Sequence, residues 1–197
     1  MYKRQVLITG SKDDYGRMEL TKSALASFVE SLADHDGVVN ITLIGFAGTV
    51  TLSYEVDDLS SDDGLNDLLA QINKLNAEGG TNYESGFVEA SDWFDEQDAK
   101  GYSEAAGYEN LTYFLTDGEP TYYLDEHGNL KRNDSTTSDN VLYESLDTFN
   151  ELAAKSDVHA IGIGDGVNTE NLDLFDNTTD DPGTCLLYTS PSPRDCS

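Results

Sequence analysis

The chain has 197 residues, with 11 Lys and Arg against 38 Asp and Glu, a net charge of −27 and 38% hydrophobic residues. So large an acidic excess repels phosphate backbones and anionic lipid surfaces, which argues against nucleic acid as a partner and favours cations. The length and hydrophobic content suit one well-cored domain, and no linker or internal repeat divides it.

The two ends differ from the body. Cys185 to Ser197 (CLLYTSPSPRDCS) has no helix or strand period and is rich in Pro and Ser. Cys185 to Asp195 resembles the translated end of a transposase-type sequencing adapter, and Met1 to Gln5 (MYKRQ) resembles the translation of its opposite strand. Such scars are set aside before the fold is read, so the natural segment is expected to be Val6 to about Thr184, a fragment with an incomplete N-terminus. Setting aside Lys3, Arg4, Arg194 and Asp195 reduces the 11 basic and 38 acidic residues to 8 and 37, a net charge of −29. Both cysteines, Cys185 and Cys196, fall in the tail, so no disulfide, thiol metal site or cysteine nucleophile is expected in the domain.

In chain order, Arg17 to Asp34 carries Met18, Leu25, Phe28, Val29 and Leu32 at the spacing of one helical face and stops near Asp36-Gly37. Val38 to Phe46 and Thr49 to Tyr54 are β-rich runs joined through Ala47-Gly48, a tight hairpin that implies an antiparallel edge. Leu65 to Leu75 predicts a second helix. After the loop Asn76 to Asn82, residues Tyr83, Phe87, Ala90 and Phe94 predict a third that starts directly after Thr81-Asn82. Asn110 to Thr116 is a short apolar run that breaks at Asp117-Gly118-Glu119-Pro120, as a buried strand does on entering a loop. Tyr122 to Asn140 is polar and turn-rich and suggests an inserted hairpin. Leu142, Leu146, Phe149 and Ala153 mark a fourth helix, Val158 to Ile163 a buried strand, and Asn168 to Phe175 a short last helix. Asp176 to Asp181 reads as an acidic exit linker. Alternating strands and helices predict a mostly parallel sheet covered on both faces, with ligands at the carboxyl ends of the strands.

Thr81 and Asp117 follow different elements and can converge at that carboxyl edge. Taken alone, Thr81 is also an ordinary helix cap and Asp117-Gly118 an ordinary turn. The pair gains meaning from the series Gly16 to Lys22 (GRMELTK), Ile44 to Gly48 (IGFAG), Glu78 to Gly86 (EGGTNYESG), Tyr113 to Thr121 (YFLTDGEPT) and Ala160 to Val167 (AIGIGDGV). Over nearly all of Val6 to Asp180 this series resembles a von Willebrand factor A domain, and its details resemble such domains in large bacterial adhesins with calcium-binding (RTX-type) repeats. The resemblance implies a Rossmann-like three-layer α/β fold and a metal-ion-dependent adhesion site. In that family the site is built from a D-x-S-x-S loop, a Thr from a second loop and an Asp from a third, and it binds Mg²⁺, Ca²⁺ or Mn²⁺.

The second-loop Thr maps to Thr81 and the third-loop Asp to Asp117. The D-x-S-x-S loop maps to Leu7-Ile8-Thr9-Gly10-Ser11, which keeps hydroxyls at Thr9 and Ser11 but has Leu7 where the Asp belongs. Two explanations stand side by side: the loop lies upstream of the given sequence, leaving the first central strand truncated, or the domain is metal-deficient. Hydroxyls and few carboxylates leave a bound ion electron-poor, so that an acidic group of a partner completes its shell. The expected function is therefore divalent-cation-dependent protein or glycan binding by a secreted bacterial adhesin, with no nucleic acid partner and no membrane insertion. A metal-independent spacer domain is the alternative.

Enzymatic activity is not expected. The chain has no G-x-S-x-G nucleophile elbow, and His35, His127 and His159 lack metal-ligand spacing. Gly162, Gly164 and Gly166 follow a late strand instead of opening the first strand-helix unit, so they do not form a dinucleotide fingerprint.

Overall fold

The computed structural model describes residues 2–10, 15–76, 79–125, 127, 129–132, 139–164, 167–178 and 186–188. Among the described residues, eight strands and five α-helices run in the order β1 (Tyr2–Gly10), α1 (Tyr15–Ala33), β2 (Val39–Phe46), β3 (Val50–Val56), α2 (Asp62–Ile72), α3 (Tyr83–Ala99), β4 (Tyr108–Thr116), β5 (Tyr122–Leu124), β6 (Leu130–Arg132), α4 (Asp139–Ala153), β7 (Asp157–Ile163), α5 (Thr169–Leu172) and β8 (Leu186–Tyr188). The main sheet has six strands in the order β3-β2-β1-β4-β7-β8, and β5 and β6 form a separate two-stranded ribbon. All main-sheet neighbours are parallel except the β2–β3 hairpin. This is the expected three-layer architecture with its antiparallel edge.

Strand alternation sorts the side chains into two cores. Val6, Ile8, Ile44, Phe114, Val158 and Ala160 pack with α3 and α4, whereas Leu7, Ile41, Leu43, Leu115 and Ile163 pack with α1 and α2. The α3 side is dominated by rings. Phe87 has Phe114 at 4.9 Å, Phe175 at 5.6 Å, Phe149 at 5.7 Å and Tyr83 at 6.1 Å between centroids, mostly in edge-on geometries that suit the ring quadrupoles. Gly86 lets α3 lie close on β1, because a Cβ there would stand 2.8 Å from Ile8 Cγ2.

Four features depart from expectation. The first central strand, expected to be truncated, is a nine-residue strand, Tyr2–Gly10, lying between β2 and β4. Its first half is Tyr2 to Gln5. There Arg4 is buried, donates from Nε to Asn110 Oδ1 at 2.7 Å, pairs with Asp98 at 2.6 Å and stacks over Phe94 at 5.3 Å. A short edge strand, β8, pairs with β7 where the sequence has no strand signal. Asp176 to Thr178 is not a solvated linker. Asn177 Oδ1 accepts from Val158 N at 2.6 Å and Asp176 Oδ2 accepts from Ala160 N at 2.9 Å, so these side chains run along the outer edge of β7. Helix α2 also starts three residues earlier than its apolar period, because Ser61 Oγ caps Gly64 N at 3.1 Å and Asp62 and Asp63 complement the helix dipole. No helix among the described residues is long and apolar enough to cross a membrane.

Candidate functional site

At the carboxyl edge of the sheet, β1, β4 and the β2–β3 turn end side by side. Gly10 is level with Thr116 and Thr9 with Gly45 and Leu115, so β1 ends beside the residue that precedes Asp117. Asp117 follows β4 directly and is 4% exposed. Thr81, also 4% exposed, comes from the loop that leads into α3.

Hydrogen bonds join these two loops. Thr81 N donates to Thr121 Oγ1 at 2.9 Å, and Thr81 O accepts from Thr121 N at 2.7 Å and Tyr122 N at 3.0 Å. In the other direction, Tyr83 OH donates to Gly118 O at 2.6 Å. Asn82 anchors the same loop to the β2–β3 turn, donating from N to Ala47 O at 2.8 Å and from Nδ2 to Gly48 O at 3.1 Å. Gly80 lies under the Tyr122 ring, where a Cβ would come within 2.0 Å of Cε2, so this position requires glycine. The structure thus brings Thr81 and the Asp117 loop together, as expected.

The third expected loop is placed differently. Leu7 is a mid-strand residue, fully buried in the apolar cluster under α1 and α2, and takes no part in the edge. Thr9 is in β1 itself, 2% exposed, and its Oγ1 has no hydrogen-bond partner among the described residues. Ser11 lies outside the described residues.

An ion at this edge would find oxygen donors. Besides Thr9 Oγ1, the buried Asn82 Oδ1 has no hydrogen-bond partner among the described residues, and an unpaired buried acceptor is costly unless something binds it. The Thr81 hydroxyl stays outside the main-chain clamp on its loop. Hydroxyl, amide and carboxylate oxygens are hard ligands that suit Mg²⁺ or Ca²⁺. Among the described residues no cluster of three or more His, Cys, Asp or Glu is placed to hold a metal.

The ribbon β5–β6 forms the rim of this edge. The buried Glu84, in the first turn of α3, accepts a hydrogen bond from Leu124 N and holds β5 down. Burial pushes the Glu84 carboxyl above the usual carboxylate range; the Leu124 N–H opposes this in part, and the negative charge of Glu144 adds to it. In the ribbon turn, Asp125 is held below its ordinary range, first by the Asn129 backbone N–H at 2.8 Å and then by further bonds that include Lys131. Sequence reasoning missed Asn82, Glu84 and Thr121 as site-building residues; the first two adjoin Thr81 in the NYE run that follows it, but Thr121 is marked only by its contact across 40 positions.

The sequence profile of the von Willebrand factor type A domain matches residues 6–196. No curated protein sequence matches the chain. Among solved structures, the chain is similar to the D319A mutant of the PilB minor pilin from Streptococcus sanguinis, with 16% identity and a TM-score of 0.65 over 95% of this chain and 56% of that one. It is similar to the vWF domain of the type V pili tip protein Mfa5 from Porphyromonas gingivalis, with 13% identity and a TM-score of 0.64 over 95% of this chain and 89% of that one. It is also similar to the manganese-loaded TRAP protein of Plasmodium vivax, with 16% identity and a TM-score of 0.58 over 96% of this chain and 68% of that one. At these identities the likeness is one of fold, and the chain spans 56% of the length of the PilB pilin it resembles.

Proposed function

Because the chain belongs to the von Willebrand factor type A domain family, we propose that it is an adhesion module that binds a protein or glycan through a divalent cation, Mg²⁺ or Ca²⁺ with Mn²⁺ as a substitute. The observation that carries this reading is the joining of the Thr81 and Asp117 loops at the carboxyl edge; Asn82 Oδ1, next to Thr81 in the chain, and Thr9 Oγ1, near the end of β1, are buried and have no hydrogen-bond partner among the described residues. Thr81 and Asp117 would hold the ion, with Thr9 and Ser11 supplying further hydroxyls from the β1 side. The bound ion would offer an open, electropositive position to an acidic group of the ligand. The protein's own contribution is to fix the two loops against each other.

The similar folds of a minor pilin, a pilus tip protein and a manganese-loaded protein support an adhesive, metal-using parent on the bacterial surface or outside the cell. We read that parent as an RTX-type adhesin and the module as non-enzymatic. We also read Met1 to Gln5 and Cys185 to Ser197 as adapter-derived; for the first segment this is supported by the start of the family match at residue 6, whereas the match runs on through the second to residue 196.

Titrating the full chain with Mn²⁺ and following free Mn²⁺ by electron paramagnetic resonance tests the metal. Binding that weakens at least about tenfold in Asp117→Ala is expected, and equal affinity in the variant sinks the assignment. The metal-independent spacer draws its support from the buried Leu7, which puts no carboxylate at the edge. It is the reading left standing if the wild-type chain binds no Mn²⁺.

A further inference from the structure

We infer that Thr121 is a positioning residue for the cation site, setting the separation of Thr81 and Asp117 through a reciprocal clamp between their loops. The inference rests on the metal reading above. Thr121 follows Asp117 by four positions and both accepts from Thr81 N and donates its own N–H to Thr81 O. Tyr83 follows Thr81 by two positions and donates to the carbonyl of Gly118, the residue after Asp117. Each loop therefore grips the other within a few residues of its own candidate ligand, and neither ligand can shift without breaking a bond that holds its counterpart.

Metal sites assembled from separate loops need their ligands held within about 0.5 Å, and hydrogen bonds of 2.7 to 3.0 Å at both the N–H and the carbonyl of Thr81 provide that hold. The Thr116 hydroxyl donates to the same Gly118 carbonyl at 2.9 Å, which fixes the start of the Asp117 loop from the strand side. The ribbon continues the clamp outward, since Leu124 N is bound to Glu84 in the helix that Thr81 introduces. The side chain of Thr121 serves through its hydroxyl as an acceptor for a main-chain donor and is not assigned as a metal ligand.

Thr121→Val keeps the shape and removes the acceptor, whereas Thr121→Ser keeps the acceptor. In the full chain, with Mn²⁺ as the probe, the valine variant is expected to bind at least about tenfold more weakly and the serine variant within about twofold of wild type. Hydrogen exchange at the Thr81 amide, measured by NMR without metal, is expected to accelerate in the valine variant only. Should Thr121→Val fail to fold, Tyr83→Phe, which keeps the ring and loses the Gly118 bond, is expected to weaken Mn²⁺ binding in the same way. Wild-type affinity in Thr121→Val, or in Tyr83→Phe when that variant stands in for it, overturns the inference, as does a serine variant as weak as the valine one. If the wild-type chain binds no Mn²⁺ at all, the metal reading falls first and the role of Thr121 with it; an accelerated Thr81 amide would then leave only a structural clamp.

Discussion

Gln5 sits in the centre of the sheet, between Ile41 of β2 and Leu111 of β4, fully buried, and neither its Oε1 nor its Nε2 has a partner among the described residues. A buried amide without hydrogen bonds costs about 1 to 3 kcal/mol on mutational evidence. Gln5→Met removes both polar atoms with an unbranched side chain of similar length, so it adds little strain and gains burial of its thioether. The net expectation is a stabilisation of about 1 to 3 kcal/mol, which in a domain of this size is a rise in Tm of roughly 2 to 10 °C. Urea denaturation followed by circular dichroism measures the first and a thermal scan the second. Gln5→Glu, close in shape but ionisable, should move both in the opposite direction. A methionine variant less stable than wild type would refute the reasoning, because it would mean that the amide has partners.

Two other perturbations address different parts of the structure. The Glu84 carboxyl is raised above its ordinary value, so the stability it allows is fully present below the usual carboxylate pKa and is lost as pH rises through the raised one. Glu84→Gln keeps an acceptor for Leu124 N and should be more stable than wild type near pH 7 but not near about pH 4; a difference in urea midpoint that does not change with pH would contradict this. Phe87 touches four other rings, and Phe87→Ala is expected to cost about 3 to 5 kcal/mol, a large share of a typical domain's stability. A loss below about 1 kcal/mol by denaturant titration would show that the ring cluster is not the organising core.

Much of this molecule was readable from local pattern. The helical faces of α1, α3 and α4, the β2–β3 hairpin and the apolar strands β4 and β7 all follow from periodicity and turn residues, and with them the placement of Thr81 and Asp117 at one edge. What escaped is what periodicity does not encode. Arg4 meets Asp98 and Asn110 across separations of 94 and 106 residues, and nothing in the surrounding sequence records such a contact. Strand β8 is three residues long, too short for an alternation to show. Asp176 and Asn177 have the composition of a solvated linker, yet in the fold their side chains take the place of backbone partners. Leu7 looked like a substituted ligand only because loop position was assigned by spacing, whereas the parallel register puts it in mid-strand.

The two side chains laid along β7 bear on how this protein avoids its own copies. An open strand edge invites another chain to add to the sheet. Here the donors of Val158 and Ala160 are already taken by Asn177 and Asp176, and Asn177 N donates back to Val158 O at 3.2 Å. The remaining stretch of this edge, Ile161 to Ile163, is covered by β8 through its pairing with Leu186 to Tyr188. A pair of short polar side chains thus acts as a stopper against strand-by-strand polymerisation, and a carboxylate in that stopper sets a charge where an incoming strand would have to dock.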